Sequence, residues 1–290
     1  MKIEVKGHSG CQIDVVPEDN DIYVYKSTVD PKYLKRLVLQ AEKQKQASEV
    51  EYQHIRVPKI YVVERSEKSV VIKMEYVYSK NFIEFFEQAG FEQIEYLVGA
   101  LKYFIDYEVT KCSITNVPTK IFIDKIEDIS EKSMSNTSLN STLGGAVENI
   151  ISSAKEILLK NKEIVIPVGL CHGDLTFSNI LFNGNNYYLI DFLDSFVETP
   201  LQDIVKIRQD SKHYWSQLMY TKKYDSIRLR IILEKIDKEI DTYFSEKYQW
   251  YRDYYNIMQL INLLRILPYA HDKNVILYLE KEIKNVLNGF

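Results

Sequence analysis

The stretch from Cys171 to Asp194 constrains this chain more than any other. It reads Cys-His-Gly-Asp-Leu-Thr-Phe-Ser-Asn-Ile-Leu-Phe, then Asn-Gly-Asn-Asn, then Tyr-Tyr-Leu-Ile-Asp-Phe-Leu-Asp. A loop bearing His172, Asp174 and Asn179 runs into a short apolar segment, 180–182. Asn183-Gly184 is a favoured pair for a tight hairpin. A second apolar segment, 187–190, then ends in Asp191-Phe192. Two strands joined this way bring the loop and Asp191 to the same end of a small sheet.

The rest of the chain alternates strand-like and helical patterns. Residues 3–5, 11–16 and 22–25 predict short strands separated by Gly or by Pro-Glu-Asp-Asn-Asp. Asp30-Pro31 is a helix start, and Leu34, Leu37, Val38 and Ala41 follow at helical spacing. Residues 59–64 and 69–74 predict two more strands around a charged turn. The expected order is thus β-β-β-α-β-β over the first quarter. From Asn81 the pattern becomes helical. The Ser-, Asn-, Thr- and Gly-rich segment 127–145 predicts a long surface loop. Helix resumes over 146–159 and from Asp203 onward. The fold expected is α+β, with residues 1–76 as a small N-terminal lobe and 77–290 as a larger, mainly helical lobe.

Bulk composition excludes several classes. A formal net charge of −4 gives no basic excess for nucleic acid or anionic lipid. Three widely spaced cysteines, without a Cys/His cluster, argue against a disulfide framework or a zinc site. The N-terminal residues lack the apolar run of a signal peptide, and no apolar stretch is long enough for a bilayer. The expectation is a cytoplasmic protein without membrane insertion. The oligomeric state is left open.

Phosphoryl transfer needs a carboxylate beside the attacking hydroxyl and separate oxygen ligands holding Mg²⁺ against the phosphates. Asp174 suits the first role; Asn179 and Asp191 suit the second. His172-Gly173-Asp174 with Asn179, followed by Ile190-Asp191-Phe192, resembles the catalytic and metal motifs of the aminoglycoside phosphotransferase and choline kinase superfamily. Pro200-Leu201-Gln202-Asp203 is similar to the Pro-x-x-Asp that follows them there. The resemblance implies a bilobal protein-kinase-like fold and a small-molecule kinase using ATP or GTP with Mg²⁺. It also implies a structural role for Asp203, as a helix cap or buried anchor, and for His172, as a loop brace. His-Gly-Asp in place of His-Arg-Asp, and the absence of an activation segment before Pro200, favour a small-molecule acceptor over a protein.

The other parts of such a site have candidates. Lys26 closes a strand before the helix; it is either a phosphate ligand or a solvated strand-end lysine. Glu42 is the candidate brace for it, with Glu49 and Glu51 nearby. Glu75 and Val77, in Met-Glu-Tyr-Val, sit where an adenine-binding hinge belongs. Ser9 and Gly10 lie in Gly-His-Ser-Gly-Cys, either a phosphate-covering loop or a plain hairpin turn. Asp194 is either a further metal ligand or a turn cap. The acceptor is a sugar, an amino alcohol or an aminoglycoside-like molecule. An inactive kinase fold serving as a nucleotide-binding scaffold is the alternative.

Overall fold

A computed structural model describes the backbone of residues 3–6 and all of residues 11–290. Ser9 and Gly10 lie outside the described residues. Three strands open the chain: β1 (Ile3–Lys6), β2 (Gln12–Glu18) and β3 (Asp21–Thr28). Helix α1 (Pro31–Ser48) follows as expected, with Asp30 capping it by accepting from the Lys32 N–H at 2.9 Å. Then come β4 (Ile55–Arg56), β5 (Ile60–Arg65) and β6 (Val70–Glu75), followed by α2 (Phe82–Gln88) and α3 (Phe91–Thr110). The middle of the chain holds β7 (Cys112–Pro118), α4 (Thr119–Met134), α5 (Thr137–Leu143), α6 (Ala146–Leu159) and β8 (Glu163–Gly169). A hairpin of β9 (Ile180–Asn183) and β10 (Asn186–Leu189) precedes α7 (Pro200–Ser211), α8 (Ser226–Lys247), α9 (Gln249–Leu264) and α10 (Lys273–Leu287). The fold is α+β, as expected, with a small antiparallel N-terminal sheet and a larger helical part.

Two compact units divide the chain: residues 1–104 with 172–195, and residues 105–171 with 196–290. The boundary expected after residue 76 falls inside the first unit. The reason is long-range pairing: β10 joins β4 in parallel, Tyr187 against Ile55, and so ties 172–195 to the N-terminal segment. Sequence patterns of period two cannot reveal such a partner.

In the first unit, the antiparallel sheet runs β1-β2-β3-β6-β5. Leu37, Val38 and Ala41 of α1 pack with Val70, Ile72 and Met74 of β6 into a buried core. A second core lies under the β9–β10 hairpin. Phe85 of α2 stacks on Phe182 of β9 at 4.4 Å between ring centroids, and Phe86 meets Phe177 edge-on at 5.4 Å. Phe177 belongs to the motif loop, so aromatic packing fixes that loop to α2.

The second unit is helical around the antiparallel β7–β8 pair. Here the segment 127–145 corrects the expectation of a surface loop: it is the second half of α4 and then α5. Phe122, Ile126, Ile129 and Ser133 recur at helical spacing and are buried. Of the Ser and Asn residues that suggested a loop, Ser135 and Ser141 are exposed, Ser130, Ser138 and Asn140 half-buried, and Ser133 and Asn136 buried. Asn136 is buried and decisive. Its oxygen caps α5 through the Leu139 N–H at 3.0 Å, and its amide donates to the Ala270 carbonyl at 2.8 Å. No helix among the described residues is long and apolar enough to cross a membrane.

Candidate active site

The β9–β10 hairpin forms as its sequence suggests. Gly184 adopts φ +58° in the two-residue loop, where a side chain is strained. Ile190 N–H then donates to the Asn179 carbonyl at 3.1 Å, which sets the start of the Asp191 loop beside the motif loop. Asn179 turns its amide inward and donates to both the Asp174 carbonyl (2.8 Å) and the Asp174 carboxylate Oδ2 (2.9 Å). The Thr176 N–H also donates to the Asp174 carbonyl, at 2.7 Å. Asp174 is therefore held as an acceptor in a fixed position, half-buried.

His172 is fully buried and braces the loop, as the resemblance implied. Its Nε2 lies 2.9 Å from the Ile190 carbonyl, which can only accept, so the proton sits on Nε2. Nδ1 accepts the Asp174 N–H at 3.2 Å. Burial drives its pKa down to about 4; the Asp174 charge opposes this and the Lys43 charge adds to it. The sign of the consequence follows. The unfolded histidine protonates near 6.5 and the folded one near 4, so acid favours the unfolded chain across that window. Stability is expected to fall by about 3 kcal/mol from this group between those two pH values, with no contribution above the window. Unfolding free energies of wild type and His172→Gln, measured against pH, check this: the variant loses that component of the acid slope.

Gly173 has φ +89°, and a Cβ there would stand 2.2 Å from the Leu193 carbonyl oxygen. Only glycine lets the two loops approach this closely. Leu193 N–H in turn donates to the His172 carbonyl at 2.9 Å. Between these clips Asp191 takes φ +61°, a left-handed conformation uncommon for residues other than glycine. Strain of this kind persists where surrounding structure enforces it, and it concentrates at functional sites.

Lys26 is buried on β3 and its Nζ lies 2.6 Å from Asp191 Oδ1, across 165 residues of sequence. Burial alone would lower the pKa of this ammonium; the charge and hydrogen bond of Asp191 more than offset it and raise the pKa above the ordinary lysine value. The solvated strand-end alternative for Lys26 is thereby set aside. The expected brace is corrected: Lys26 is paired with Asp191, while Glu42 is exposed on α1. Residues 37, 38, 41 and 44 form the buried stripe, and position 42 lies a further 100° round the helix from 41. Its neighbour Lys43 does reach inward, donating to the Leu193 carbonyl at 2.7 Å. Nothing in the sequence marked this lysine, since cations on an amphipathic helix normally face water. Asp194 accepts from Arg36 Nε at 3.0 Å, in an exposed pair of small energetic weight.

At the end of β6, the Glu75 N–H is spent on the Lys59 carbonyl at 2.8 Å, and its carboxylate accepts the Lys59 N–H at 3.0 Å. Residues 76–79 then run to Lys80, whose peptide pairs with Phe182. In the second unit Asp203 is fully buried within α7, whose N-cap is Thr199. Tyr251 lies in the core of this unit, where its hydroxyl donates to Asp241 at 2.7 Å and accepts from Arg208 at 2.6 Å. Among the described residues no group of three or more His, Cys, Asp and Glu side chains could hold a metal by itself.

Residues 135–218 match the sequence profile of the phosphotransferase enzyme family called APH, and this segment contains both motifs. No curated protein sequence matches the chain. Solved structures do. The GDP and kanamycin complex of APH(2")-IIia shares 15% identity at a TM-score of 0.65, over 100% of this chain and 94% of that one. An amicoumacin kinase in complex with AMP-PNP, Ca²⁺ and Ami shares 12% at 0.59, over 98% and 88%. A spectinomycin phosphotransferase with ADP and spectinomycin shares 13% at 0.51, over 99% and 91%. At these identities the likeness is one of fold. The chain thus shares its fold with these phosphotransferase structures, and the segment that carries both motifs matches the phosphotransferase family profile.

Proposed function

We propose that this protein is a kinase that transfers the γ-phosphate of ATP or GTP to a hydroxyl of a small molecule, a sugar, an amino alcohol or an aminoglycoside-like acceptor. The observation that carries it is the meeting of Lys26 with Asp191, beside an Asp174 held by Asn179, in one compact unit. Asp174 orients the acceptor hydroxyl and takes its proton as the oxygen bonds to the γ-phosphorus. The bond from that phosphorus to the bridging oxygen breaks, and the nucleoside diphosphate leaves with its electron pair.

Asn179 and Asp191 have the oxygen donors a magnesium ion prefers, and the Ile190–Asn179 backbone bond keeps their elements adjacent. Two such donors leave the rest of the shell to phosphate oxygens and water, which is how Mg²⁺ is usually held in kinases. When bound, the cation neutralises charge on the phosphates. Lys26 leaves Asp191 for the α- and β-phosphates as nucleotide enters. The Glu75 carbonyl and the Val77 N–H pair with the adenine edge, the Glu75 N–H being already engaged. Ser9 and Gly10 cover the phosphates.

Calorimetric titration with AMP-PNP and GMP-PNP in Mg²⁺ tests this. Wild type is expected to bind at least one of them, and Lys26→Met to bind it at least about tenfold more weakly, the worth of a charge-assisted hydrogen bond. Unchanged affinity in Lys26→Met would remove the lysine from the site.

A further inference from the structure

Given a metal–nucleotide site at Asp191, as proposed above, we propose that Lys43 of α1 is a positioning residue for it: by holding the Leu193 carbonyl it fixes the strained Asp191 backbone in the metal-binding conformation.

Besides the bond from Ile190 N–H to the Asn179 carbonyl, three further hydrogen bonds pin the main chain of the turn 190–193. His172 Nε2–H holds the Ile190 carbonyl at 2.9 Å, and the His172 carbonyl holds the Leu193 N–H at 2.9 Å. Lys43 Nζ holds the Leu193 carbonyl at 2.7 Å. The first two come from the motif loop itself. The third comes from a helix 150 residues away in sequence. The long lysine side chain loses rotamer freedom when it is fixed. Lys43 is half-buried, and its bond to the main-chain carbonyl is a charge-assisted one. The carbonyl it grips is the one against which Gly173 packs, so the bond also presses the Asp191 loop onto the loop of Asp174.

Without nucleotide, Asp191 has a second anchor, the Lys26 ammonium at 2.6 Å. Phosphates compete for that ammonium. Once Lys26 turns to them, the side-chain anchor of Asp191 is gone, and the loop depends on its backbone bonds. Lys43 therefore matters most in the state that holds both metal and nucleotide. This distinguishes positioning from general stabilisation, which would weaken every state alike.

The test compares affinities for AMP-PNP and GMP-PNP with Mg²⁺ and with EDTA, for wild type, Lys43→Met and Lys43→Arg. Lys43→Met is expected to bind metal-free nucleotide within about twofold of wild type, but to lose about 10- to 100-fold of the affinity that Mg²⁺ adds, as loss of a ligand-orienting partner does. Lys43→Arg, which can still donate to the carbonyl, restores most of that gain. Thermal unfolding confirms that each variant is folded, and Lys43→Gln replaces Lys43→Met if the latter is not. A loss smaller than tenfold, or an equal loss with and without Mg²⁺, overturns the role of Lys43 and leaves the kinase function standing. Failure of wild type to bind either nucleotide overturns both.

Discussion

Asp174→Ala is expected to lower the rate constant of phosphoryl transfer by about 10²- to 10⁴-fold, the range removed with a general base, while nucleotide affinity stays within about twofold. The carboxylate is positioned before any substrate arrives. Asn179 holds its Oδ2 at 2.9 Å, and its main-chain carbonyl is fixed by Asn179 and by the Thr176 N–H. A carboxylate held in this way is an acceptor suited to receive the proton of a hydroxyl. Lys26 and Asp191 do not depend on the Asp174 side chain for their own pairing, so phosphate and metal contacts survive its removal. Initial rates with an accepted substrate, alongside calorimetry, separate the two effects. A variant with wild-type turnover would exclude Asp174 as the base.

Gly173→Ala is expected to damage both stability and activity. A methyl group at this position meets the Leu193 carbonyl oxygen at 2.2 Å, a main-chain atom that cannot rotate away, and φ +89° is strained for any side chain. The backbone term alone costs about 1–3 kcal/mol, and moving the Leu193 peptide breaks its bonds to His172 and Lys43. A total loss of at least about 3 kcal/mol is expected from denaturant unfolding. Activity of the remaining folded enzyme should fall by about 100-fold or more, because Asp191 moves with its loop and misplacement by about 1 Å has that effect. Wild-type stability in this variant would show that the two loops are not packed as described.

Much of the site was legible because its chemistry is local. Asp174, Asn179 and Asp191 sit on one loop and one hairpin, and the turn between the strands announces itself as Asn-Gly. The α1 start was legible for the same reason: Asp30 caps and Pro31 opens the helix. What was not legible depends on rotation or on distance. Choosing between Glu42 and Lys43 as the inward-facing neighbour is a question of 100° on a helix, and both residue types are ordinary on a solvated face. The parallel pairing of Tyr187 with Ile55 has no sequence signal at all. The 127–145 segment was misread because composition was weighed above period. Phe122, Ile126 and Ile129 trace a buried stripe that Ser133 continues, so small polar residues lie inside the packing as well as on the surface and imitate a loop in composition alone.

The most direct measurement is transfer of radiolabelled γ-phosphate from ATP and GTP to a panel of aminoglycosides, choline, ethanolamine and sugars, with Mg²⁺ and with EDTA. The site as described predicts label in at least one acceptor with Mg²⁺, none with EDTA, and almost none with Asp174→Ala. No label in any acceptor, together with no binding of AMP-PNP or GMP-PNP, would contradict a phosphotransferase site at Lys26, Asp174, Asn179 and Asp191.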